Sequence, residues 1–445
     1  MKREMSSSSK KNPHILAIPW PASGHILPLV DLTHQLAIRG ITITFVVTPK
    51  NLFYLNPLVS LHDKTTIQTL VLPFPSHPSL PPGVENMQDV TQQSYLHMVT
   101  ALSELYNPIM QWCKSHPSPP VAILTDAMLN TWTHPLASAL GIKTIGFLPS
   151  SQYTVSTVWN NYQEMKRDFF HGDMFHCTME NWGLVLNSFA ELHTKSFDAF
   201  KGIAKHDRVW GVAPLVTVKA GAERGGPTSI PSDEVMAWLD SCPVDKSVVY
   251  VGFGTEITLN KQQMEALGEA LEKSGVRFIW SVKKPGKGVV LENEESNGDE
   301  QSVIPTGLED RVAGRGLVIR GWVPQPMILK HRAVGSYLTH LGWGSVLEGL
   351  MGGVLLVAWP MQSDHFFNKQ LLVDELGAAI PACVGLGTIP DSANLAKILS
   401  ESLHVNRPER IAWMKLREEA LNAAKQGGSS YKALDELANQ ISNFN

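Results

Sequence analysis

Between Trp322 and His365 the chain reads W-V-P-Q, then H-L-G-W-G-S-V-L-E, then W-P-M-Q-S-D-H. These residue types suit three parts of one ligand. The indole of Trp322 can stack a base while the Val323 backbone reads the base edge. His340 ends a predicted strand, and Gly342, Trp343, Gly344 and Ser345 open the next helix, whose N–H groups and positive dipole end favour a pyrophosphate. Asp364 and His365 can hydrogen-bond sugar hydroxyls. The stretch reads as a cradle for a nucleotide sugar. Each piece also has a plainer explanation: an indole at a strand end is by default core packing, and Ser345 with Glu348 fits an S-x-x-E capping box.

A base stands far away in sequence. His25 follows the first predicted strand in P-A-S-G-H, and ligands of open α/β sheets collect beyond the C-terminal strand ends. An imidazole with an ordinary pKa of about 6.5 can take a proton from a phenol at neutral pH. Such a base gains from an anion that fixes its tautomer and stabilises the imidazolium. Asp126, ending V-A-I-L-T-D, is the candidate, with helix capping or turn formation as its structural alternative. Thr255 in G-F-G-T adds a hydroxyl near the phosphates, or is a helix N-cap.

These residues are positioned by a repeated grammar. An apolar run (H-I-L-A-I-P-W), a Pro/Gly loop, a helical period through Ile26, Leu29, Val30, Leu32, Leu36 and Ala37 closed by Gly40, and a second apolar run predict a βαβ unit and so a parallel sheet. V-A-I-L-T, T-I-G-F-L and L-V-L-N supply further strands. After a Gly/Pro/Ser-rich break at Lys219–Ser232 the pattern restarts with S-V-V-Y-V-G-F, R-F-I-W-S-V, L-V-I-R-G-W, G-S-Y-L-T-H and V-L-L-V-A-W-P. The expected architecture is α/β, two Rossmann-like domains facing across a cleft. Its divisions are a disordered tail at 1–12, a first domain at 13–218, a linker at 219–235, a second domain at 236–420 and a C-terminal helix within 421–445. Lys283–Ser302, crowded with acids, is expected to be a mobile surface loop.

Composition narrows the partners. At 445 residues the chain exceeds one ordinary core, and a net charge of −4 without a basic block gives no reason to expect nucleic acid or an anionic membrane. Four scattered cysteines without a C-x-x-C pair argue against a disulfide framework, and no apolar run reaches the roughly 18 residues of a membrane span. A cytoplasmic monomer acting on small molecules is expected.

The 44-residue frame from Trp322 to His365 resembles the C-terminal signature of plant family 1 UDP-glycosyltransferases. P-x-S-G-H-I-L-P (Pro21–Pro28), S-V-V-Y-V-G-F-G-T (Ser247–Thr255) and L-V-L-N-S-F-A-E-L (Leu184–Leu192) extend the similarity over nearly the whole chain. P-F-P-S-H-P, W-L-D-S-C-P and H-L-G-W-G-S-V-L-E-G look closest to the flavonol 7-O-rhamnosyltransferase branch. The resemblance implies the GT-B fold, a last helix crossing back onto the first domain, and a UDP-sugar co-substrate without other cofactor. It implies a flavonoid acceptor in the first domain, where the Pro73–Gly83 loop, Trp20, Phe147, His97 and Met98 lie. It also places Gln325 and Glu348 on the ribose.

Two departures matter. The usual H-C-G-W-N-S reads H-L-G-W-G-S, so a phosphate-contacting asparagine is replaced by Gly344. The common terminal glutamine is His365, whose shorter, differently directed donor should hold glucose less well and favour a 6-deoxy sugar or a C4 epimer; the branch resemblance points to rhamnose. UDP-glucose and UDP-galactose remain the alternative donors. No D-x-D motif lies in a plausible site, so a metal-independent, inverting transfer is expected. The rivals are a nicotinamide oxidoreductase, which lacks its G-x-G-x-x-G opening the first helix, a hydrolase, which lacks G-x-S-x-G, and a non-catalytic nucleotide-sugar binder, which would tolerate loss of His25.

Overall fold

The computed structural model describes residues 12–165, 169–215, 224–283 and 303–444. Most of the expected N-terminal tail, the first part of the linker and nearly all of the acidic loop lie outside these residues.

The first lobe is a seven-stranded parallel sheet: β1 (His14–Ile18), β2 (Thr42–Val47), β3 (Ile67–Val71), β4 (Ala122–Asp126), β5 (Lys143–Leu148), β6 (Gly183–Leu186) and β7 (Val209–Gly211), in the order β3-β2-β1-β4-β5-β6-β7. The second is a six-stranded parallel sheet of β8 (Val248–Gly252), β9 (Arg277–Val282), β10 (Gly316–Arg320), β11 (Val334–Thr339), β12 (Leu355–Ala358) and β13 (Ala379–Pro381), ordered β10-β9-β8-β11-β12-β13. Helices cover both faces of such sheets, so β1, β8, β11 and β12 are buried along their whole length, and β8 and β12 read as continuous apolar runs rather than alternating ones.

Each order reverses once, between β1 and β4 in the first lobe and between β8 and β11 in the second. At a reversal the crossovers leave on opposite faces and open a crevice beyond the strand ends, where α/β sheets bind ligands. His25 follows β1 and Asp126 ends β4; Thr255 and His340 follow β8 and β11. The strand order alone therefore puts the four residues at the two crevice mouths.

The lobes are tied by polar bonds. Ser23 and Thr255 hydroxyls lie 2.9 Å apart, the Trp343 indole N–H donates to the Asn187 carbonyl at 2.6 Å, and Thr154 donates to Asn368 at 2.9 Å. The last helix, Ser429–Ser442, packs Leu434, Leu437, Ala438 and Ile441 into the first-lobe core, while the preceding helix, Pro408–Ala424, packs Trp413 and Leu416 into the second.

Candidate active site

His25 lies in the first turn of the helix Ser23–Ala37, not in the loop before it. Pro19 to Ala22 carry the chain from β1 into that helix, and β1 pairs β4 with Ile18 beside Thr125, so His25 meets Asp126 across 101 residues of chain. Nδ1 of His25 is 2.8 Å from Oδ2 of Asp126. Asp126 is fully buried, and its other oxygen accepts the Met128 N–H at 3.0 Å. Capping and imidazole support are thus not alternatives, because each uses a separate oxygen. The carboxylate accepts from Nδ1–H, which leaves the Nε2 lone pair free to take a proton. Desolvation pulls the His25 pKa down, but the charge and hydrogen bond of Asp126, with smaller contributions from Glu256 and Asp364 of the second lobe, outweigh it and hold it above its ordinary value.

The turn expected to face the phosphates is built from backbone. Leu341 takes a left-handed conformation, φ 66°, which is costly for a non-glycine residue. Asn368 holds it there, donating to the Leu341 carbonyl at 2.9 Å, while the Leu341 N–H donates to Thr339 Oγ1 at 3.2 Å. His340 packs against this turn so closely that a Cβ on Gly342 or Gly254 would lie 2.5 or 2.7 Å from its Nε2. Burial, with His365 beside it, holds the His340 pKa well below its usual value. It is a neutral imidazole, so what it can offer a ligand is a hydrogen bond rather than a positive charge.

The helix Trp343–Gly352 has Gly342 as N-cap. The S-x-x-E capping box therefore does not form: Ser345 already lies inside the helix, and its hydroxyl accepts from Tyr337 at 3.1 Å. The Trp343 indole serves the fold rather than a ligand. Its side chain is buried and its only N–H is spent on Asn187, so it joins the lobes and leaves only its backbone at the helix end. Gly344 is exposed, and among the described residues nothing lies within 4 Å of where a Cβ would stand. Gly344→Asn is accordingly expected to fold normally and to bind UDP roughly 2- to 12-fold tighter in titration calorimetry, the range for one added hydrogen bond of about 0.5–1.5 kcal/mol. Unchanged affinity would mean that the phosphates do not pass this turn.

Trp322 sits just beyond β10 with its indole N–H donating to the Arg224 carbonyl at 3.1 Å. Val323 is buried, and its carbonyl accepts the Gln325 N–H at 2.8 Å. The Gln325 amide is fully oriented: Oε1 accepts from the Tyr250 and Tyr337 hydroxyls at 3.0 and 3.1 Å, and Nε2 donates to Glu348 Oε2 at 2.8 Å. Gln325 therefore holds Glu348 rather than projecting alone. Burial raises the Glu348 pKa, opposed by Arg224 and Gln325.

At the pair expected to face the sugar, Asp364 accepts from Asn368 at 2.9 Å, and its other oxygen is 4.0 Å from Nε2 of His365. Nδ1 of His365 accepts the Gln362 N–H at 3.2 Å. Burial pushes the His365 pKa down to about 3, so the ring is neutral and its proton sits on Nε2 as a fixed donor. The rings of His365 and His340 meet edge to face at 4.7 Å. The acceptor candidates fare differently. Trp20, Phe147 and Met98 are core residues with at most 2% exposure, and His97 faces His77 at 5.1 Å.

Residues 227–403 match the family described as UDP-glucoronosyl and UDP-glucosyl transferase. The chain is 51% identical to a flavonol 7-O-rhamnosyltransferase of Arabidopsis thaliana, over 98% of this chain and 100% of that protein. It is 42% identical to flavonol 3-O-glucosyltransferase UGT89B1 of the same plant, over 99% and 98%. The crystal structure of Arabidopsis thaliana UGT89C1 complexed with UDP-L-rhamnose superimposes with a TM-score of 0.88 at 49% identity, covering 97% of this chain and 100% of that one. The same protein complexed with quercetin gives 0.85 at 48% identity, with the same coverage. With two facing parallel sheets and this similarity along nearly its whole length, the chain belongs to the plant family 1 UDP-glycosyltransferases.

Proposed function

We propose that this chain transfers rhamnose from UDP-rhamnose to the 7-hydroxyl of a flavonol, in one inverting, metal-independent displacement. The observation that carries the reading is the 2.8 Å His25–Asp126 pair at the first crevice mouth, close enough to the second-lobe carboxyls of Glu256 and Asp364 for their charges to act on the imidazole. The relatives' names and the UDP-L-rhamnose and quercetin complexes of UGT89C1 support the choice of donor and acceptor.

In this mechanism Nε2 of His25 takes the phenolic proton while the oxygen attacks the anomeric carbon opposite UDP. The new carbon–oxygen bond forms as the bond to the β-phosphate breaks, and UDP departs with the electron pair. Asp126 stabilises the imidazolium. The N-terminus of the helix Trp343–Gly352 and the His340 N–H meet the charge that grows on the phosphate. No protein nucleophile is used, so a trapped sugar–enzyme adduct would refute the route, and loss of turnover in EDTA would refute metal independence.

Donor choice falls to His365 and Asp364. A buried Nε2–H in one fixed direction suits fewer hydroxyl patterns than a longer amide that both donates and accepts. With quercetin or kaempferol as acceptor, UDP-rhamnose is expected to exceed UDP-glucose, UDP-galactose and UDP-xylose in kcat/KM. His365→Gln should move the rhamnose-to-glucose ratio toward glucose by about tenfold or more. Equal or better rates with UDP-glucose in the wild-type protein would remove the rhamnose assignment. UDP release that persists unchanged in His25→Ala would leave only a nucleotide-sugar binder.

A further inference from the structure

Arg224 stands on the segment joining the lobes and has no part in the mechanism above. Its side chain is only 9% exposed. Both terminal nitrogens are spent on one carboxylate: Nη1 donates to Asp31 Oδ1 at 2.8 Å and Nη2 to Asp31 Oδ2 at 2.7 Å. That two-pronged geometry fixes the plane and direction of a guanidinium. The remaining donor, Nε–H, is buried without a hydrogen-bond partner among the described residues. It faces Glu348 Oε1 at 3.9 Å, too far for a direct hydrogen bond. This is also the Glu348 oxygen that Gln325 does not hold. Buried donors are rarely left unmatched, and here the unmatched donor and the carboxylate oxygen frame one gap.

We propose that Arg224 is a ribose-binding residue: its Nε–H and Glu348 Oε1 together receive one ribose hydroxyl of a nucleoside diphosphate, which accepts from the guanidinium and donates to the carboxylate. A hydroxyl can do both at once, and an oxygen about 2.9 Å from each atom spans such a gap. Asp31 then acts as a positioning residue, holding the fork in line. Asp31 and His25 lie on the same helix, Ser23–Ala37, so the ribose would be gripped from both lobes, by Glu348 on one side and by a guanidinium anchored to the base-bearing helix on the other. The inference deepens the proposed function and rests on its placement of the nucleotide.

Calorimetric titration of UDP, 2′-deoxy-UDP and 3′-deoxy-UDP into the full-length wild-type chain, Arg224→Met, Arg224→Lys and Trp322→Ala tests it. In the wild type one deoxy analogue should bind about tenfold or more weakly than UDP. In Arg224→Met, UDP itself should weaken by a similar factor and the penalty for that analogue should shrink toward one. Arg224→Lys keeps a cation beside Asp31 but loses the directed Nε–H; it should show the same collapsed ratio and guards against a folding defect in the methionine variant. A deoxy penalty that is absent in the wild type, or equal in the wild type and the variants, overturns the proposal. UDP that fails to bind the wild type, or binds Trp322→Ala with unchanged affinity, overturns the nucleotide placement instead.

Discussion

His25→Ala should lower kcat by about 10²–10⁴-fold, the usual contribution of a positioned general base, while UDP affinity measured by calorimetry stays unchanged because no group proposed to hold the nucleotide rests on His25. The base must be neutral to act, and its pKa lies above the ordinary histidine value. The kcat/KM profile of the wild type is therefore expected to rise with pH through a midpoint above 6.5 and then level off. Asp126→Asn removes the charge that raises the pKa, so the rising limb should move to lower pH. The plateau should fall at the same time, because the imidazolium formed during transfer loses its counter-ion and Nδ1–H its acceptor. A flat profile, or an Asp126→Asn limb that stays in place with an unchanged plateau, would separate these two residues from the chemistry.

The features legible in the sequence were those with a local cause. Continuous apolar runs marked β8 and β12, since parallel strands are covered on both faces. K-Q-Q-M-E-A-L-G-E-A-L-E-K-S marked the helix Lys261–Ser274, which Asn260 and Gln263 close with a true capping box. Asn260, and not Thr255, is its N-cap; Thr255 bonds Ser23 across the lobes instead. Ser345 and Glu348 carry the same box signature without forming the box, because that helix starts at Trp343 with Gly342, not Ser345, as its N-cap. The Trp343 indole shows the limit of local reading: it bonds a carbonyl 156 residues away, a contact with no local trace. Asn368, which pins the strained Leu341 peptide, and Arg224 were missed for the same reason. Both act through partners that only the assembled lobes bring near. Among the acceptor candidates, large apolar side chains near the right strand ends were indistinguishable from core, and Trp20, Phe147 and Met98 are core.

Gly225→Ala is the second change expected to have a large effect, and it bears on the base platform. Gly225 has φ +84°, and a Cβ there would lie 2.3 Å from Cζ2 of Trp322, far inside contact distance. The indole has little room to yield. Its N–H is held by the Arg224 carbonyl at 3.1 Å, and the Trp322 backbone is held too, its carbonyl accepting the Ser229 N–H at 2.8 Å. Alanine must therefore lift the segment off the ring or turn the ring away. If that ring stacks uracil, UDP loses a contact worth about 1–3 kcal/mol per base, roughly 5- to 150-fold in Kd. Gly226→Ala supplies the control. It is strained too, at φ +135°, but its Cβ would meet only Phe53, at 3.5 Å. Both variants should lower the melting temperature through backbone strain, whereas only Gly225→Ala should weaken UDP binding in calorimetry. An equal loss in both would trace the effect to the displaced segment rather than to the indole, and Trp322 would no longer serve as the stacking platform.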